Sequence, residues 1–146
     1  MSVYEIIFKL TLACILGGLI GLERESLSRP AGLRTYTLVC VGSALAMIVS
    51  MDMYLKYYQT VNADPGRIAA QVVSGIGFLG AGTIMREGAT VRGLTTAAGL
   101  WVVACIGLAI GAGLYVSAIV STILILFVLI YFVKIEQKFT GMREYK

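Results

Sequence analysis

Polar residues are scarce in this 146-residue sequence, and those able to do chemistry fall into three clusters. The first is Glu23-Arg24-Glu25 with Arg29 and Arg34, in the segment ERESLSRPAGLR. Arginine offers a planar fork of donors that suits carboxylates and other anionic groups. Glu23 and Glu25 suit a hard cation, which prefers carboxylate and water oxygens. The second cluster is Asp64-Pro65-Gly66-Arg67, followed by Gln71 and Ser74. Asp64 fits a helix N-cap and Pro65 the first helical position. Arg67 and Gln71 lie one turn apart and share a helix face. An amide inside an apolar helix needs a partner, so Gln71 and Ser74 are candidates for lining an interior path or for bonding between helices. The third cluster is Arg86 and Arg92 with Thr95 and Thr96, where a threonine would cap the helix that follows.

Charges at helix ends can simply face lipid headgroups and water. The alternative is that the arginines of both loops converge on a polar vestibule, where they pair with Glu23 or bind an anionic group. Other chemistries find no support. There is no histidine, the commonest metal ligand and the usual proton shuttle at neutral pH. Cys14, Cys40 and Cys105 sit in apolar stretches without metal-ligand spacing and read as small buried hydrophobes. No nucleophile–base pair, phosphate-cradling glycine loop followed by lysine, or zinc spacing occurs. The glycine-dense run Gly75–Gly82 lacks the flanking strand of a dinucleotide loop. The chain is therefore expected not to be an enzyme and to need no cofactor. Its basic residues adjoin apolar stretches and belong to no nucleic-acid-binding domain, which argues against that partner.

The elements that must position these residues follow from composition. The chain is 58% hydrophobic and 14% charged, with a mean hydropathy of +0.87. A soluble domain this small cannot hide so much apolar surface. A bilayer can, and crossing it takes about 20 apolar residues as a helix. Five such stretches are present, so the chain reads as an all-α polytopic membrane protein with about five transmembrane helices. They run from about Val3 to Leu22, Thr35 to Met51 (with an extension to Leu55), Gly66 to Met85, Leu94 to Ile110 and Leu114 to Val133. Residues 1–134 form one transmembrane domain and residues 135–146 a cytoplasmic tail. The first stretch is read as retained rather than as a secretion signal. No Lys or Arg precedes it, Glu5 lies near its start, and no small-residue cleavage site follows Gly21.

Counting loop Lys and Arg sets the orientation. Arg24, Arg29, Arg34, Arg86, Arg92, Lys134, Lys138, Arg143 and Lys146 fall on one side. Lys56 and Arg67 fall on the other, with Lys9 inside helix 1. The first side is expected to be cytoplasmic, with the N-terminus outside and the C-terminus inside. Gly17/Gly21, Gly42/Ala46, Gly77/Ala81 and Gly107/Gly111 have the small-xxx-small spacing that lets membrane helices approach closely. Such grooves serve packing within a subunit or between subunits, and a homo-oligomer, with a dimer as the expected form, fits five short helices. Gly32-Leu33-Arg34-Thr35 leading to Cys40, and Gly93-Leu94-Thr95-Thr96 leading to Cys105, hint at a parallel two-helix repeat.

Three runs resemble signatures of the MgtC/SapB family. They are Gly21 to Glu25 with Arg29 to Thr35, then Asp64 to Gly82, then Arg92 to Ala98 with Trp101. The resemblance implies a bacterial inner-membrane protein that supports growth in scarce Mg²⁺ and survival inside macrophages. It implies action through other membrane proteins, such as the ATP synthase or a sensor kinase. A transporter or channel for Mg²⁺ or another small ion is the alternative, with Mg²⁺ as ligand or cargo. Several relatives carry a soluble domain after the fifth helix. This sequence runs about a dozen residues past that helix, which shifts the expectation toward activities of the membrane part.

Overall fold

The structure is a computed structural model that describes residues 1–57 and 64–141. Five helices follow in order: α1 Val3–Ser26, α2 Leu33–Tyr57, α3 Gly66–Thr83, α4 Leu94–Gly111 and α5 Tyr115–Gly141. Tyr58 of the second connection, and Arg143 and Lys146 of the tail, lie outside the described residues. Four helices are long and apolar enough to cross a membrane: α1, α2, α4 and the Tyr115–Val133 part of α5. At 18 residues, α3 has the length of a span, but Arg67, Gln71 and Ser74 dilute its hydropathy.

Contacts fix the relative directions. Side chains placed on Gly17 and Gly21 of α1 would meet Cys40 and Leu33 of α2 respectively, so α1 and α2 run antiparallel. Gly99, Gly107 and Gly111 of α4 meet Tyr36, Cys40 and Ala44 in that order, so α2 and α4 run parallel. These are the two helices that the internal echo pairs. The α3 helix is held at both ends. Ser50 Oγ donates to the Pro65 carbonyl at 2.7 Å, and Gly93 sits against the Thr83 carbonyl. Half of the spanning window of α4 is buried but only 17% of that of α5, so α4 is the central helix and α5 a peripheral one. The core gathers Ala13, Leu16 and Ile20 of α1, Tyr36, Cys40 and Ala44 of α2, and Leu100, Val103 and Ile110 of α4.

The glycine pairs divide by location. Gly17/Gly21 and Gly107/Gly111 are consumed inside the chain, where even a methyl group would strike a neighbouring helix. Gly42 and Gly77 have nothing within 4 Å of where a side chain would begin.

Several expectations are corrected. The connection from Arg86 to Gly93 is not a plain turn but a β-hairpin, Met85–Glu87 with Thr90–Arg92, in antiparallel register. Thr90 and Val91 favour extended backbone, and Gly88 takes a φ of +62° at the two-residue loop, where glycine is preferred. Helix α1 runs on to Ser26, so Glu23, Arg24 and Glu25 are helical rather than loop residues. Helix α5 is longer than the expected Leu114 to Val133, since it runs from Tyr115 to Gly141. Cys14 is exposed rather than buried, while Cys40 is buried and Cys105 intermediate.

Candidate functional site: an arginine-lined cavity

At the end of the bundle where α1 finishes and α2 and α4 begin, a cavity of about 780 Å³ opens between the α1–α2 connection, the hairpin and α5. Ser28, Arg29 and Pro30 line it from the first, with Arg24 of the last turn of α1 beside them, Met85, Val91 and Arg92 from the second, and Val128, Leu129, Phe132 and Val133 from the third. The first residues of α4, Leu94, Thr95 and Thr96, close the inner side. Both arginine-bearing connections thus meet here.

Arg24 is the anchor. Only 2% of its surface is exposed, and its Nε and Nη2 donate to Glu23 Oε2 and Oε1 at 2.5 and 2.7 Å. Two parallel bonds to one carboxylate are the geometry a guanidinium fork makes best. Glu25 does other work: its Oε2 accepts the Leu33 N–H at 2.9 Å and so caps the start of α2. A Gly32 side chain would collide with that carboxylate. Glu23 and Glu25 are therefore both engaged within the chain. Among the described residues no group of three or more His, Cys, Asp or Glu side chains is placed to hold a metal ion.

The expected threonine cap at α4 is not made. Its N-cap is Gly93, at φ +89°, which has no side chain to offer the first-turn amides. The reason is steric: Gly93 passes so close to the Thr83 carbonyl that a Cβ would overlap it, which selects glycine over a capping threonine. Thr96 is instead buried at 2% exposure, and its carbonyl accepts the Tyr36 hydroxyl at 3.2 Å.

The remaining sequence candidates lie elsewhere. Arg34 is exposed and lines a separate depression of about 560 Å³ with Glu25, Gly32, Leu33 and Thr35. Arg86 is exposed, with Nε donating to the Gly88 carbonyl at 3.2 Å. Asp64 stands one residue before the Pro65 N-cap, its Oδ1 accepting the Gly66 N–H at 2.8 Å. Arg67, Gln71 and Ser74 are exposed on the outer side of α3, so within one chain they line no enclosed path.

Sequence reasoning missed Lys9 as a structural contact. Lys9 is 4% exposed, with Nζ at 2.9 Å from Glu5 Oε1 and donating to the Gly111 carbonyl at 3.0 Å. It ties α1 to the carbonyl end of α4, where a cation is favoured. The legible signal was a lysine inside a span with a glutamate one turn earlier. The apolar wall of the cavity, with Val128 and Phe132 of α5, was missed as well, because a uniformly apolar helix does not show which of its faces is covered.

This arrangement defines a small polytopic α-helical membrane protein with its charge gathered at the helix ends. The chain belongs to the MgtC family, whose model matches residues 10–138. It is 52% identical over 126 residues to Protein MgtC of Salmonella typhimurium, covering 86% of this chain and 52% of that protein. It is 48% identical over 127 residues to the putative magnesium transporter YhiD of Escherichia coli K12, covering 86% of this chain and 59% of YhiD. It is also 46% identical over 122 residues to slr0014 of Synechocystis, covering half of that protein. The chain spans about half the length of the curated relatives it matches. No solved structure matches it.

Proposed function

We propose that this chain is a regulatory protein of the bacterial inner membrane that supports adaptation to low Mg²⁺ and intracellular survival. It acts by contact with the helices of other membrane proteins, such as the ATP synthase or a sensor kinase. The observation that carries this reading is the open small-residue surface of α3. Gly75, Gly77 and Gly82 have nothing within 4 Å of where a side chain would begin, and Gln71 and Ser74 are exposed on the same helix. Small residues admit a second helix closely, and exposed amides and hydroxyls gain a partner there that lipid cannot supply. Gly42 on α2 is equally open, beside an apolar groove of about 350 Å³ between α2 and α3. That groove suits pairing with a second copy of the chain, with a dimer as the expected form.

The name of YhiD favours a second reading, transport of Mg²⁺ or another small ion. Mg²⁺ flux into vesicles holding the full chain separates the two. Under regulation by contact, flux matches that of empty vesicles, and co-purification of the ATP synthase is lost in Gly77→Leu. Flux that Arg67→Ala abolishes would replace regulation with transport.

A further inference from the structure

The face of α3 that its own chain leaves open carries polar and aromatic side chains in a single line. Arg67, Gln71, Ser74 and Phe78 follow one another at spacings of four, three and four residues, which keeps them on one side of the helix. All four are exposed, Phe78 to 84%. The side chains of Arg67, Gln71 and Ser74 make no hydrogen bond or ion pair with another described residue. With α3 as the fifth span, Gln71 and Ser74 lie about 8 and 12 Å below its first residue, at about 1.5 Å per residue. Lipid offers an amide at that depth no hydrogen-bond partner, so a polar surface is needed to cover this line.

Height in the bilayer decides which surface fits. Copies of one chain insert the same way up, so a twofold axis along the membrane normal sets each residue of α3 level with its own counterpart. Gln71 then meets the partner subunit's Gln71, and a primary amide carries both donors and an acceptor, so two of them satisfy each other. The outer end is self-complementary in charge. Asp64 and Arg67 are both exposed and about one turn apart, so each guanidinium reaches the carboxylate of the other copy. Shape supplies a third match. The apolar groove of about 350 Å³ between α2 and α3 has open Gly42 and Gly75 in its floor and Leu38 and Leu79 in its walls. It spans the depth of Val72 to Leu79, which is also the depth of Phe78.

We propose that two copies join along this line of α3, with Gln71 and Ser74 at the twofold axis and each Phe78 ring seated in the α2–α3 groove of the other copy. This interface rests on the pairing of copies stated above and goes beyond it, because polar side chains at one depth, not small residues, select the partner. Gly77 stands two residues from Gly75 and so lies on the other flank of α3, open to a different protein.

The test is disulfide cross-linking of the full chain in vesicles, with Cys14, Cys40 and Cys105 replaced. Ser74→Cys is expected to link the copies. Ile123→Cys, 61% exposed on α5, is expected to give only the background of random collision. Gln71→Leu in the Ser74→Cys chain is expected to lower linking about tenfold, as the loss of an interhelical polar contact would. Leucine suits lipid better than glutamine, so this variant has no fold to lose, and an unchanged melting temperature verifies it. Arg67→Glu sets like charges across the pair and should weaken linking, and Asp64→Arg/Arg67→Glu should restore it. Equal linking at Ser74→Cys and Ile123→Cys would overturn the interface, as would linking that Gln71→Leu leaves intact. Subunit counting by single-molecule photobleaching separates this failure from failure of the reading beneath it. Dimers without the Ser74→Cys link would put the pairing on another face, whereas monomers would remove the pairing altogether. Regulation by contact stands or falls separately, on flux and co-purification.

Discussion

Arg24 and Glu23 are adjacent in sequence, and neighbours on a helix normally point apart. Here both side chains bend to meet, because Arg24 is nearly buried and a buried guanidinium cannot go without a counter-charge. Glu23→Gln keeps the shape and removes the charge. It is expected to cost roughly 3 kcal/mol, since an uncompensated buried charge remains. Thermal unfolding in detergent, followed by circular dichroism, measures the loss. An unchanged midpoint would mean that water or lipid already serves Arg24. Sequence could place the glutamates and arginines at one end of the molecule but not apportion them. Glu25 and Glu23 look equivalent in the string ERE, yet one caps α2 and the other pairs with Arg24. That division depends on the close approach of Gly32, which is a tertiary fact.

Among the helices, the glycine pairs separate packing from association. Gly107 touches the Cys40 carbonyl and Ser43 of α2, while Gly77 touches nothing. Gly107→Leu is therefore expected to prevent folding, with a cost of several kcal/mol from overpacking. Gly77→Leu is expected to leave helicity and melting temperature unchanged. Melting and gel filtration of the two variants side by side check the contrast, and equal effects would refute it. Sequence showed four such pairs without distinguishing them, because a glycine spacing records that helices meet and not which helices. Helix number and approximate bounds were legible, since they follow from apolar run length. The hairpin was not: three-residue strands lie below the reach of periodicity, and only Gly88 and the β-branched Thr90-Val91 marked it.

For the whole molecule, the antiparallel and parallel pairs above place the ends of α1, α3 and α5 together with the starts of α2 and α4. Arg24, Arg29, Arg34, Arg86 and Arg92 all belong to that end, and Lys56 and Arg67 to the other. The excess of arginine predicts that this end faces the cytoplasm. With the native cysteines replaced, Ser28→Cys should resist an impermeant thiol reagent applied to intact cells, and Ser2→Cys should react. The reverse pattern would invert the proposed orientation.

The helices also differ in reach. At about 1.5 Å per residue, the 24 residues of α1 extend about 36 Å, and the 18 residues of α3 and of α4 about 27 Å each. A hydrocarbon core is about 30 Å thick, so the short pair falls a little below it. Central α4 is screened by its neighbours, while α3 leaves most of its residues exposed. As a fifth span, α3 is expected to draw the bilayer thinner along its flank, with full depth restored beside α5. Lipids with chains short enough to fill such a dent are then expected to collect on that side.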